Sequence, residues 1–243
     1  MRSYTICLIR HGLTAGNMEG RYIGSTDLPL CSEGEKLLQQ QKDEHPYPQV
    51  DMCYSSPMLR CLQTAKILYP ELTPQIVTDF REIDFGDWEN KTAAQLAEED
   101  PNFMAWMEGG KQVTPPGGED SGWCMQRTCA AFEHVVDGML RSEIHRAALI
   151  LHGGSMMSIL ATYGLPKAKF YDWMTQPGCG YCMRITPAIW MRSMVAEVYE
   201  TIPPRKLETK EEQTERMVLD VAREAADHAY GTEDKKPEEE KDS

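Results

Sequence analysis

Two segments far apart in this 243-residue sequence end alike: Leu8-Ile9-Arg10-His11-Gly12 and Leu149-Ile150-Leu151-His152-Gly153-Gly154. Each is an apolar run that delivers a histidine into a glycine turn, and open α/β sheets take their ligands at the carboxyl ends of such strands. One histidine in that setting is most often structural. Two in the same context are another matter, because Arg10 adds a permanent cation and Gly12 lets the backbone approach a ligand closely. If the two strands are neighbours, one imidazole could attack an electrophile while the other bonds the oxygens of the transferring group.

A third segment, Ser56-Pro57-Met58-Leu59-Arg60-Cys61-Leu62-Gln63-Thr64-Ala65, starts a helix at Pro57 and sets Arg60 near its amino end. A helix start with a guanidinium suits an anion, although such an arginine taken alone is most often a surface salt-bridge partner. Arg81-Glu82-Ile83-Asp84-Phe85-Gly86-Asp87-Trp88-Glu89 then offers four carboxylates, any of which could protonate a leaving alkoxide. Metal binding is the rival use of these acids, and it is disfavoured because nothing in their spacing aims them at one point.

The framework that would hold these residues emerges from the hydrophobic pattern. β-like runs at residues 4–9, 51–55, 75–78 and 147–152 alternate with helix-like stretches at 33–42, 59–68 and 126–141. Such alternation predicts a largely parallel sheet with helices on both faces. Runs at 180–186 and 194–201, separated by residues 187–193, are expected as an edge hairpin or two further strands. Pro115, Pro116, Gly117 and Gly118 break the chain between helix-like residues 92–99 and a helix beginning near Ser121. Past Pro203 and Pro204, Val218, Val221, Ala222, Ala225 and Ala229 recur at helical spacing, and residues from Gly231 onward read as disordered.

Composition narrows the function. The net charge is −13, with −7 of it in residues 208–243, which argues against nucleic acid as a partner and gives no long-range pull on phosphates. An anion site must therefore be made locally, by a few converging cations. No early apolar run is long enough for a signal peptide or membrane span, so a cytoplasmic protein without a membrane partner is expected. The eight cysteines are scattered through apolar segments and read as reduced, mostly buried thiols. Cys179 and Cys182 form a C-x-x-C, but no second ligand pair stands at zinc-site spacing, and residues 180–185 read as a strand.

Taken together, Arg10-His11-Gly12 with Thr14 and Asn17, the Gly24, Asp27, Leu30 and Gly34 spacing, Ser55-Ser56-Pro57 with Arg60 and Gln63-Thr64-Ala65, and the late His152-Gly153 resemble the histidine phosphatase superfamily, also called phosphoglycerate mutase-like. The resemblance covers roughly the first 200 residues. It implies a three-layer α/β/α sandwich with a mostly parallel central sheet, a small helical and loop cap and a C-terminal helical extension. The catalytic domain would span residues 1–206, with a cap at about 86–122, and an acidic helical extension would occupy 207–243. It further implies that His11 is the nucleophile, that Arg10, Arg60 and His152 surround the phosphoryl group, and that Asn17 adds a hydrogen bond. Ile23 (in the place of a mutase threonine), Gly24 and Gly153 complete the substrate side. Glu82 falls at the position of the proton donor. Two guanidiniums and one imidazolium could neutralise a transferring phosphoryl group with no metal or other cofactor. Glu82 must begin protonated, which burial near Phe85 and Trp88 or contact with phosphate would favour.

Within that family, hydrolysis of a phosphomonoester is expected ahead of mutase chemistry. A mutase must also hold a phosphoglycerate carboxylate, yet the comparable stretch, residues 103–122, has only Lys111 as a cation. The acid loop and Pro115-Pro116-Gly117-Gly118-Glu119 resemble the α-ribazole phosphatase group and its broad-specificity relatives. The partner is then a small phosphorylated metabolite, and a homodimer is left open. Phe103, Met104, Trp106 and Met107 would either line a lid over a bulky substrate or pack a helix on the core. A non-catalytic phospho-ligand scaffold is the remaining alternative, opposed by the retention of Arg10, His11, Arg60 and His152 together.

Overall fold

The first strand, β1 (Tyr4–Arg10), is apolar on both sides because it is covered on both sides. In the computed structural model, which describes residues 3–107 and 113–203, β1 is followed by the short α1 (Ala15–Met18), α2 (Ser32–Glu44), β2 (Met52–Ser55), α3 (Leu59–Leu68) and β3 (Gln75–Ile76). The acid loop leads into α4 (Ala93–Glu99) and α5 (Pro101–Met107). The chain returns through α6 (Ser121–Ser142), β4 (Arg146–Leu151), α7 (Gly153–Tyr163), β5 (Gly164–Leu165), β6 (Gly180–Ile185), α8 (Pro187–Ser193) and β7 (Ala196–Ile202).

The seven strands form one sheet in the order β3-β2-β4-β1-β6-β7-β5. Among the described strands only β6 runs against the others, so the sheet is mostly parallel. Alternate residues build two cores. Ile6 and Leu8 of β1 with Leu149 and Leu151 of β4 pack against Phe132, Val136 and Met139 of α6 and Met156 and Leu160 of α7. Cys7, Ile9, Ala148 and Ile150 face the other way, toward Leu38 of α2 and Cys61, Ala65 and Leu68 of α3. These are the three expected layers.

Several sequence-based expectations change. Of the two alternatives for residues 180–186 and 194–201, two further strands form, β6 and β7, and not an edge hairpin: β6 is internal, antiparallel to β1, and α8 lies between it and β7. The glycine run after His152 opens α7, a helix that periodicity does not single out, because its apolar residues lie all round a buried helix and show no stripe. Cys7 stands opposite Cys182 in the β1–β6 register with 4.2 Å between the Cα atoms, and the two are joined as a disulfide. The expectation of eight reduced thiols is therefore corrected; strand register, which sequence spacing does not reveal, brings this pair together. Cys179 of the C-x-x-C remains free.

The cap has its own small core of Trp88, Leu96 and Phe103, flanked by Tyr22, Phe85, Trp106 and Val113. Phe103 is 1% exposed and Trp106 lies edge-on or stacked against four aromatic neighbours, so these side chains hold the cap together, while Met104 is 46% exposed. The packing alternative, not the lid, describes Phe103. Lys111 and the extension at 207–243 lie outside the described residues.

Candidate active site

Parallel pairing of β1 and β4 sets Arg10 beside Leu151, so the next residue of each strand is a histidine at the same end of the sheet. The two imidazole centroids are 5.2 Å apart and the rings are inclined by 64°. His11 Nδ1 is 2.7 Å from the carbonyl oxygen of Gly12. A carbonyl only accepts, so Nδ1 carries the proton and Nε2 keeps its lone pair. Gly12 packs closely, since a Cβ there would come within 2.4 Å of the Leu38 side chain, and its N–H donates to Thr64 Oγ1 at 2.9 Å.

Two arginines converge on the pair. Arg10 donates through Nη1 to the Thr175 carbonyl at 2.6 Å, while its buried Nε has no partner among the described residues and lies beside Gly153 at the start of α7. Arg60 is 1% exposed and held from behind, donating to the Thr26 carbonyl at 3.0 Å and to the Gly24 carbonyl at 2.9 Å. A buried guanidinium whose hydrogen-bonding capacity is not filled suits an oxyanion.

Of the four carboxylates in the acid loop, only Glu82 faces the histidines, with Oε2 4.0 Å from His152 Nδ1. Burial pushes its pKa up, against the lowering pull of the Ile83 N–H and of Arg60, Arg10 and Arg127. Glu89 is occupied elsewhere: its carboxylate accepts the backbone N–H groups of Gly24, Ser25, Thr26 and Phe85 and the hydroxyls of Ser25 and Thr26. Asp84 accepts from Ser25 and Gly86, and Asp87 is exposed. Trp88, expected near Glu82, sits in the cap core and donates to Asp100 at 2.8 Å.

The remaining candidates support rather than contact this centre. Asn17 closes a capping box on α1, its side-chain oxygen accepting from the N–H and hydroxyl of Thr14, which leaves its amide NH₂ for a ligand. Ile23 packs on Gly16, where a Cβ would fall 2.4 Å from Ile23 Cγ1. Gly24 lies so close to the Ile83 carbonyl that a Cβ would collide at 1.8 Å, and its own carbonyl orients Arg60.

Sequence reasoning missed the clamp on the acid loop. Arg127 of α6 donates to the carbonyls of Asp79, Arg81 and Glu82 and pairs with both oxygens of Glu119 at 2.6 and 2.7 Å. Its only trace in the sequence is Glu119 directly after the Pro-Pro-Gly-Gly turn. Burial, then Arg60, His11 and Arg10, hold His152 well below the ordinary histidine value, and burial with Arg10 and Arg60 does the same to His11. Both shifts favour neutral rings before an anion enters, while the expected imidazolium concerns the ring with a phosphoryl group bound. Among the described residues no group of three His, Cys, Asp or Glu could hold a metal ion, and no helix is long and apolar enough to cross a membrane.

A mostly parallel sheet that brings two histidines and two guanidiniums together at one end is suited to hold a phosphoryl group. Comparison with known proteins places it more narrowly. The profile of the histidine phosphatase superfamily (branch 1) matches residues 6–196, and the chain belongs to that family. Over 177 residues it is 27% identical to the adenosylcobalamin/alpha-ribazole phosphatase of Escherichia coli (strain K12), covering 71% of this chain and 85% of that protein. A Proteus mirabilis protein named "Probable phosphoglycerate mutase GpmB" is 29% identical over 165 residues, covering 66% and 75%. The crystal structure of the alpha-ribazole phosphatase from Shigella flexneri shares the fold, with a TM-score of 0.68 at 23% identity over 84% of this chain and 100% of that one.

Proposed function

We propose that the protein hydrolyses a small phosphomonoester in two in-line steps at His11. The observation that carries this reading is the bond from His11 Nδ1 to Gly12, which leaves Nε2 as a nucleophile among Arg10, Arg60 and His152. In the first step Nε2 bonds to phosphorus, the P–O ester bond breaks, and protonated Glu82 delivers its proton to the departing alkoxide. In the second, water attacks phospho-His11 and gives its proton to the Glu82 carboxylate, releasing inorganic phosphate and restoring both groups. Arg10, Arg60 and His152 bond the equatorial oxygens as their charge builds. The cations for this are supplied by the chain itself, so added EDTA leaves turnover unchanged.

Hydrolysis is favoured over mutase chemistry by the employment of the other nearby cations. Arg127 is bound to Glu119 and backbone carbonyls, Arg81 to Asp79 and Glu119, and Arg21 to Glu19 and Asn90, so these three arginines are already engaged and are poorly placed to hold a substrate carboxylate. The names of the E. coli and S. flexneri relatives make α-ribazole phosphate the first substrate to try. A phosphate-release screen of α-ribazole phosphate, sugar phosphates, 3-phosphoglycerate and an aryl phosphate tests the reading. Release from several monoesters is expected; isomerisation of 3-phosphoglycerate without release would instead establish a mutase, and no turnover of any of them a binding protein.

A further inference from the structure

His11 and His152 meet the same space with opposite ring nitrogens. His11 turns Nδ1 back to a carbonyl and offers Nε2, whereas His152 turns Nε2 back to Ser56 Oγ at 2.7 Å and offers Nδ1 toward the site, 4.0 Å from Glu82 Oε2. A carbonyl dictates the tautomer; a hydroxyl can donate or accept. The surroundings decide which. Ser56 Oγ already receives the Met58 N–H at 3.4 Å, and a distance of 2.7 Å is ordinary for an O–H donor. The Cys61 sulfur lies 3.7 Å from Nε2 and 4.0 Å from Nδ1, so it is nearer to Nε2; burial keeps this thiol protonated with its pKa pushed up to about 12, so it too is a donor. On the far side, a bare Nδ1 lone pair would point at phosphoryl oxygens and repel them.

We infer that Ser56 is a positioning residue: by donating its hydroxyl proton to Nε2, it fixes His152 as the neutral Nδ1–H tautomer and so turns a potential second base into a hydrogen-bond donor for the phosphoryl group. The inference rests on the proposed role of His152 as a phosphate contact. The groups around the ring are Arg10 and His11 from the β1 turn, Arg60 and Cys61 from α3, Glu82 from the acid loop and Arg127 from α6. Burial and these cations oppose a charged ring, which is what makes the choice of tautomer matter. A neutral imidazole has one proton to place, and Ser56 places it on the side of the substrate.

The test is long-range ¹H–¹⁵N spectroscopy of the full chain labelled at histidine nitrogens, with the His152 signals identified by their loss in His152→Asn. In the wild type at pH 7.5 the expected pattern is a protonated Nδ1 and an unprotonated Nε2, kept when inorganic phosphate is added. The reverse tautomer, or a doubly protonated ring before phosphate is added, overturns the inference without any variant needing to fold. In Ser56→Ala the two tautomers mix and kcat on an aryl phosphate falls by about 10- to 100-fold, by analogy with the loss when the partner orienting a metal-bound histidine is removed. Undiminished kcat, or a loss of kcat with the tautomer unchanged, also counts against it. The broader functional reading fails separately: it falls if no phosphohistidine forms on His11 or if His152→Ala turns over like wild type, whatever the tautomer.

Discussion

The β1 turn and the β4 turn are near copies in sequence, each an apolar strand emptying into His-Gly, and the fold sets them side by side. They differ in the group that stands behind the ring. Behind His11 is its own neighbour's carbonyl, an acceptor that leaves Nε2 bare; behind His152 is a serine hydroxyl on the segment entering α3. The glycines after each histidine differ too. Gly12 leads into a loop packed against Leu38, whereas Gly153 and Gly154 open α7 beside Arg10 and Glu82. The lesson is that the chemical role of a histidine is set by the partner of its distal nitrogen more than by the motif that carries it.

The largest break in this comparison comes from the nucleophile. His11→Ala is expected to lower kcat by about 10⁵-fold or more and to abolish acid-labile phosphate on the enzyme, the scale of losing a catalytic nucleophile. His11→Asn is equally dead, because an amide cannot replace Nε2. Glu82→Gln comes next, with a loss in kcat/KM, which reports the leaving-group step alone, of about 10²- to 10⁴-fold on alkyl phosphates, which need a proton, and far less on activated aryl phosphates. A uniform loss across leaving groups would assign the proton to another donor.

The same variant tests the carboxyl's environment by stability. Glu82 has a folded-state pKa above its ordinary value of 4.5, so its contribution to stability is full below the unfolded value and is lost as pH rises through the folded one. Glu82→Gln, neutral throughout, should therefore melt higher than wild type at pH 8 and gain less at pH 4. Equal margins at both would mean that the carboxylate is not held at a burial penalty.

His152→Ala is expected to cost about 10²- to 10³-fold in kcat whatever the leaving group, as when one oxyanion donor is removed. His152→Asn sharpens the contrast with position 11, since a side-chain N–H can stand in for Nδ1–H, and it should retain more activity than the alanine variant. If asparagine and alanine are equally poor, donation by Nδ1 is not the role. The smallest effect is reserved for Glu89→Gln, which keeps shape but removes the charge that gathers the N–H groups of Gly24, Ser25 and Thr26. Through the Gly24 and Thr26 carbonyls this loosens Arg60, and a rise in the Ki of inorganic phosphate of about tenfold is expected, in keeping with a lost charge-assisted hydrogen bond of roughly 1.5–3 kcal/mol shared over several donors.

Much of this was legible in residue order. Apolar runs with glycine turns marked β1 and β4 and their His11 and His152, and Pro57 marked the start of α3 to within two residues, because local sterics and hydrophobic period are properties of neighbouring residues; Arg60 and the choice of Glu82 among four acids came from the family resemblance. The order of the strands, the Cys7–Cys182 pairing, the Arg127 clamp on Glu82 and the hydroxyl behind His152 join residues between 45 and 175 positions apart. Such contacts depend on register and packing, and the neutrality of both histidines depends on how completely the fold buries them beside two arginines. Residue order alone settles which groups can react. Which nitrogen of each ring faces the substrate is decided by the folded chain, since a proton's position depends on the partner across the fold and not on the residue that holds it.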